Sequence, residues 1–322
     1  MLGTQKTEIA KKKKISAERK WETAIAGGVA GFSNMAFTHP FDVIRTRFQV
    51  HDGRISYLPK YKHTLNALYT IARSEGLRGL YAGFSPAVLG GTFAWASYFF
   101  VYHRRKEKRL KNSNGDSTFF GSSAVHLLSG AEAGALVTLL SNPIFLVKTR
   151  LQLQIPHSDL RRYSGFFDAV RTIIREEGWR ALYRGIVPSL IMVGSGAIQF
   201  TSYELLRKST LEHKKRNHNT SNDNLNSWNY VVLGASSKVV SFIFTYPFMV
   251  IRSRLQQCPS VDGVQQYPNA LGVFKETVRF EGVRGFYKGI TPHLIKNIPS
   301  SALLFLVYEN VLKLFATGRR SS

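Results

Sequence analysis

The chain reads as an all-α membrane protein with six transmembrane helices in three tandem repeats. Three observations predict this. One pattern recurs three times at a single period, each copy holds two long stretches nearly free of basic charge, and a proline stands at the same place in the first stretch of each copy.

The repeat comes first. Pro-Phe-Asp-Val-Ile-Arg-Thr-Arg starts at Pro40, Pro-Ile-Phe-Leu-Val-Lys-Thr-Arg at Pro143, and Pro-Phe-Met-Val-Ile-Arg-Ser-Arg at Pro247, so the prolines are 103 and 104 residues apart. Downstream in each copy come Glu75-Gly76, Glu177-Gly178 and Glu281-Gly282, then Tyr81-Ala82-Gly83, Tyr183-Arg184-Gly185 and Tyr287-Lys288-Gly289. Each copy closes on Tyr102-His103, Tyr203-Glu204 or Tyr308-Glu309. Four ordered signals at one period mark a repeat architecture. The predicted organisation is a basic N-terminal tail over 1–20, repeats over 21–112, 122–213 and 227–316, and a polar linker over 214–226.

The spans come next. The first stretch of each copy runs over 23–47, 124–150 and 229–254, and the second over 85–105, 187–207 and 291–312. Each approaches or exceeds the roughly 20 residues a helix needs to cross a hydrocarbon core. Small residues weaken the hydropathy signal but let helices approach closely. Gly27-x-x-x-Gly31 and Gly130-x-x-x-Gly134 have that spacing, whereas Lys238 breaks it in the third copy. Of 44 Lys and Arg, 21 follow the proline motifs and 21 lie in the tail, the connections and the C-terminus. Only Lys238 and Lys296 fall inside spans. This even split leaves the positive-inside rule unable to orient the chain.

Composition narrows the function. A net charge of +24 favours anionic partners. The basic residues are spread over seven flanks rather than gathered with aromatics on one face, which argues against nucleic acid. A single cysteine, Cys258, excludes a disulfide framework, and no spacing suggests a metal or a nucleophile with its base. No enzyme activity and no cofactor are expected. Charged groups within a bilayer are costly and mark function, which singles out Lys296, Lys238 and Glu132.

The three Pro-x-[Asp/Glu]-x-x-[Lys/Arg] signatures, with their Glu-Gly and Tyr-x-Gly signals, resemble the mitochondrial carrier family from about Trp21 to Phe315. The resemblance implies a six-helix barrel with threefold pseudosymmetry, short matrix-side helices, and alternating access around a central site. Pro40, Pro143 and Pro247 would kink the odd helices by removing a backbone bond. At the gate below them Asp42 would pair with Lys148. Phe145 and Met249 stand where acids belong, so Arg252 and Arg45 lack partners. Gln49, Gln152 and Gln256 would brace this gate. At the opposite gate Glu309 would pair with Lys106, while His103 faces Arg207 and Glu204 faces Leu312. Exposed pairs contribute roughly 0–1 kcal/mol each, so both closed states should be shallow.

Pro143-Ile-Phe145 resembles the Pro-Ile-Trp of the folate, flavin and nucleotide carriers. Asp42-Val-Ile-Arg-Thr-Arg-Phe-Gln-Val50, Glu132-Ala-Gly-Ala-Leu136, Gly196-Ala-Ile-Gln-Phe200, Ser236-Ser-Lys-Val239 and Tyr308-Glu-Asn-Val311 look like the folate/FAD branch, closest to its plant folate transporters. That implies a small anionic heteroaromatic solute, with FAD, NAD, a pyrimidine nucleotide or a non-transporting scaffold as alternatives. Lys296, Asn297 and Lys238 would hold its anionic groups. Phe145, Trp95 and Gln199 would take the ring, and Glu132 would be a further member of the site. The resemblance also implies a monomer in the mitochondrial inner membrane, or in the chloroplast envelope. Cardiolipin would sit at Arg184, Gly185, Lys288 and Gly289.

Overall fold

The computed structural model describes residues 2–52, 61–112, 119–155, 163–217, 227–259 and 267–318. Side chains of the tail and most of the 214–226 linker lie outside the described residues. All regular structure among those described is helical. Repeat 1 comprises α1 (Leu2–Val50), α2 (Thr64–Ser74), α3 (Gly76–Leu80) and α4 (Phe84–Asn112). Repeat 2 comprises α5 (Phe119–Leu153), α6 (Phe166–Glu177), a 3-10 turn, α7 (Ile186–Val193) and α8 (Ser195–Asn217), and repeat 3 comprises α9 (Ser227–Gln256), α10 (Ala270–Glu281), a second 3-10 turn and α11 (Ile290–Gly318).

Each repeat is therefore a long odd helix, a short amphipathic helix and a long even helix. The even helix of repeat 2 is broken at Gly194 into α7 and α8. Five of the long segments are apolar enough to cross a membrane by composition alone. The exception is α1, whose span carries His39, Asp42, Arg45 and Arg47. The even helix of one repeat packs along the odd helix of the next: α4 on α5, α8 on α9, and α11 back on α1. The six helices thus close into a ring.

The ring is tightest at the proline end. The short helices bury one face each, Ala67 and Ile71 on α2, Ala169 and Ile173 on α6, Val273 and Thr277 on α10, at the three- or four-residue spacing of a helix stripe. These faces pack on the ends of the odd helices, against Ile44, against Leu146, Val147 and Leu151, and against Ile251 and Leu255. Elsewhere the large apolar side chains point outward, among them Phe32, Leu140, Phe244 and Phe305, as expected of helices solvated by lipid.

One packing expectation is half met. A methyl group on Gly130 or Gly134 would press on Tyr98 Oη or Val193, so these glycines do sit at close helix contacts. A methyl group on Gly27 or Gly31 would meet nothing within 4 Å. Spacing alone does not say which face of a helix meets a neighbour.

Candidate transport site and its gate

Each proline removes an N–H, so the carbonyl four residues earlier loses its helix partner. Tyr81 of the Tyr-x-Gly signal donates its hydroxyl to the carbonyl of Ala36 at 3.2 Å, and Tyr287 donates to Ile243 at 3.1 Å. These are the carbonyls that Pro40 and Pro247 release. The residue before each proline then ties the same turn from the other side. His39 Nε2 bonds the Ala82 carbonyl at 3.0 Å, Asn142 bonds those of Leu182 and Arg184 at 2.8 and 3.4 Å, and Tyr246 bonds that of Lys288 at 3.1 Å. So the start of each even helix is fixed to the kink of its own odd helix.

The glycine of the signal faces the next repeat. Gly83, Gly185 and Gly289 have φ of +70°, +76° and +81°, a conformation that side chains rarely adopt. A methyl group on them would come within 2.9, 3.3 and 3.0 Å of the carbonyls of Lys148, Arg252 and Arg45. Backbone meets backbone there, in the order repeat 1 to 2, 2 to 3, 3 to 1.

The same order governs the polar groups. Arg47, Arg150 and Arg254, two residues past each gate base, are fully buried. Their Nε atoms donate to the backbone carbonyls of Gln152, Gln256 and Gln49 at 3.1, 3.3 and 3.0 Å. Thr46, Thr149 and Ser253 donate to the side-chain oxygens of the same glutamines at 2.8, 3.0 and 2.8 Å. The braces are thus a closed hydrogen-bonded ring in which every repeat donates to the next.

Each of these arginines is neutralised by the glutamate of the Glu-Gly signal: Arg47 by Glu75, Arg150 by Glu177, Arg254 by Glu281. Sequence reading missed these pairs. The signal was present, since an Arg seven residues past the proline and the Glu occur in all three copies, but they stand 28, 27 and 27 residues apart and no helical spacing links them. Arg184 adds to Glu177 and Lys288 to Glu281. Burial pushes the Glu281 carboxyl up, yet the Arg254 and Lys288 cations outweigh it and hold it below the ordinary carboxylate range. The expected lipid contacts Arg184 and Lys288 therefore turn inward onto acids, and Gly185 and Gly289 sit against backbone.

Inside the ring lies the charged cluster expected to form a gate. Asp42 pairs with Lys148 across repeats, as predicted, and also accepts from Lys296 of α11 at 2.9 Å. Lys296 is thus joined to the gate itself. Arg45 stands 3.8 Å from Asp42 on its own helix and rests an Nη on Met249 Sδ at 3.3 Å. Arg252 lies over the Phe145 ring, 5.6 Å from its centroid. The cations opposite the missing acids therefore rest on a thioether and a ring. Among the described residues Arg252 has no carboxylate partner.

The remaining candidates scatter. Lys238 lies 5.8 Å over the Phe242 ring, which packs edge-on against His293, three residues before Lys296. Asn297 spends its amide on the His293 carbonyl one turn back, at 2.7 Å. Glu132 is paired with Arg109 and lies 3.6 Å from Arg105, both on the basic end of α4, so its charge is met by the neighbouring helix. Trp95 is exposed and stacks on Phe99, and Gln199 is exposed; neither touches the Asp42 cluster. At the far end, among the described residues, Glu309 and Lys106 form no ion pair, and the Nε of Arg207 is buried without a hydrogen-bond partner. The charged pair expected at the proline end is formed, and the pair expected at the far end is not.

Comparison with known proteins adds to this geometry. The family described as "Mitochondrial carrier protein" matches residues 16–113, 121–214 and 223–319. The chloroplastic folate transporter 1 of Arabidopsis thaliana is 57% identical over 302 residues, 93% of this chain and 97% of that protein. The chloroplastic nicotinamide adenine dinucleotide transporter 1 of the same plant is 34% identical, over 91% and 92%. The mitochondrial pyrimidine nucleotide transporter RIM2 of Saccharomyces cerevisiae is 30% identical, over 92% and 87%.

Proposed function

The chain belongs to the mitochondrial carrier family, and on that premise we propose that it carries folates across an organellar membrane by alternating access. The observation that carries the choice of solute is the 57% identity to a folate transporter along nearly the whole of both chains. The gate chemistry supports an anionic solute. Arg45, Lys148 and Lys296 gather around one carboxylate, Asp42, with Arg252 resting on Phe145.

The mechanism follows from the shared carboxylate. Lys296 is partly exposed, at 27% of its side chain, while bound to Asp42. A solute carboxylate entering from the far side competes for this ammonium. Taking it away leaves Asp42 with Lys148 and Arg45 and weakens the tie between α11 and α1, so solute binding is coupled to gate opening. Phe145, under the Arg252 guanidinium, offers a flat surface for the heteroaromatic ring. When the proline end parts, Glu309 with Lys106 would close the other side. The solute is moved, not converted, so no enzyme chemistry or cofactor is involved.

The chain acts as a monomer on this reading, since one chain closes the ring. Its membrane is the chloroplast envelope if it follows the 57% relative, or the mitochondrial inner membrane if it follows relatives such as RIM2. Cardiolipin phosphate fits the first-turn N–H groups of α11 beside Gly289.

The test is uptake into liposomes holding the purified protein, with labelled folate, FAD, NAD and pyrimidine nucleotides compared. Saturable folate uptake that falls at least about tenfold in Lys296→Ala is expected, the order lost with a desolvated charge contact. Uptake of FAD, NAD or a pyrimidine nucleotide instead would reassign the solute. Transport of none of them by folded protein would mean a scaffold with a carrier fold.

A further inference from the structure

The proline-end network ends each repeat with the middle residue of the Tyr-x-Gly signal. In repeat 3 this is Lys288, whose ammonium meets Glu281 at 2.5 Å and donates to the carbonyl of His51 in repeat 1 at 2.9 Å. In repeat 2 it is Arg184, paired with Glu177. In repeat 1 it is Ala82, which has no side chain to send. The cyclic symmetry says where a cation from position 82 would go. Its acid is Glu75. Its carbonyl is that of Gln154, eleven residues past Pro143 as His51 is eleven past Pro40.

Those groups border a cavity of about 260 Å³. Glu75 and Gln154 line it with Arg78, Gly79, Ala82, Leu151 and Ile155. The Glu75 side chain is only 4% exposed and carries one cation, Arg47, where Glu177 and Glu281 each carry two. Engagement by the buried arginine does not exhaust such a carboxylate. Arg150 holds both oxygens of Glu177, and Arg184 still adds to one of them. The Gln154 carbonyl receives Arg47 at 3.1 Å and, like any carbonyl, has a second lone pair.

We propose that this cavity is a binding site for a primary ammonium group, which occupies the place that the Lys288 ammonium fills in repeat 3. The N–H groups meet the Glu75 carboxylate and the Gln154 carbonyl, and an alkyl stem lies on Leu151, Ile155 and the Ala82 methyl. A quaternary ammonium has no N–H to give and does not fit the role. The group comes either from a free alkylamine or from the ethanolamine headgroup of a phospholipid, whose phosphate would meet Arg78 of the same lining. Lys296 is not among the residues lining the site, which does not depend on which solute is carried.

The test is thermal unfolding of the full chain in detergent. Butylammonium chloride should raise the melting temperature of the natural protein by roughly 2–4 °C over tetramethylammonium chloride at equal ionic strength, the shift of a modest ligand on a chain of this size. Ala82→Lys should melt higher without additive and ignore butylammonium. Ala82→Met, which fills the cavity without charge, should also lose the response. Retention of phosphatidylethanolamine over phosphatidylcholine by the natural protein but not by Ala82→Lys, read by native mass spectrometry, assigns the headgroup source; stabilisation by the free amine without such retention assigns the small-molecule source. Equal effects of the two ammonium salts, or a response that survives both substitutions, would overturn the proposal.

Discussion

The ring at the proline end and the gate inside it are built on the same three helices, yet one keeps the threefold pattern and the other has lost most of it. Arg47, Arg150 and Arg254, their glutamates and their glutamine partners repeat with nearly identical distances. One layer away, Asp42 is the only acid of three, and Phe145 and Met249 replace the others. Groups that hold the repeats together must serve all three interfaces alike. Groups that meet a solute need not, because a solute has no threefold axis. Departure from symmetry is therefore the guide to the site, and agreement with it the guide to the scaffold.

This contrast can be broken in order of effect. Arg150→Ala strips Glu177 of its buried partner and cuts the link to the Gln256 carbonyl. A loss of about 3–5 kcal/mol is expected, read as a collapse of thermal stability in detergent. Gly83→Ala comes next, combining a left-handed backbone with a 2.9 Å approach to the Lys148 carbonyl, for about 2–4 kcal/mol. Gly76→Ala is its control. It has nearly the same φ, +69°, but open space around it, so only the backbone strain of about 1 kcal/mol should appear in the same melting experiment. If the two alanines cost the same, the backbone contact between repeats contributes nothing.

The smallest change concerns the gate. Met249→Asp restores an acid where Arg45 now rests on sulfur. A new pair worth about 1 kcal/mol should deepen the closed state, lowering uptake a few-fold while slightly raising the melting temperature. Faster uptake would mean that opening this gate is not what limits turnover.

Much of this was legible because the repeated residues do local work that their chemistry announces. A proline frees a carbonyl, and a tyrosine at fixed distance recovers it; a glycine stands where a side chain would strike backbone. The pair of Asp42 and Lys148 followed from the family resemblance. What escaped was set by how helices lie against one another. Glu132 sits within a span by sequence, but α4 carries Arg105 and Arg109 alongside it. Lys296 was expected to point to the solute, and its bond to Asp42 depends on how far α11 slides along α1. Gly27 and Gly31 have the spacing of a contact on a face that has none. The arginine–glutamate pairs join a long helix to a short one across a loop, and sequence distance carries no trace of that fold-back.

The one-way sense of the ring has a consequence for biosynthesis. Each repeat donates to its successor, and the successor of the third is the first: Arg254 bonds the Gln49 carbonyl, 205 residues back along the chain. When two repeats have left the ribosome, Gln49 has no donor, and the seam between α1 and its future neighbour α11 is open to lipid. The link joining the newest residues to the oldest forms only after the last repeat is made, so a chain truncated after repeat 2 lacks the donor that closes the ring.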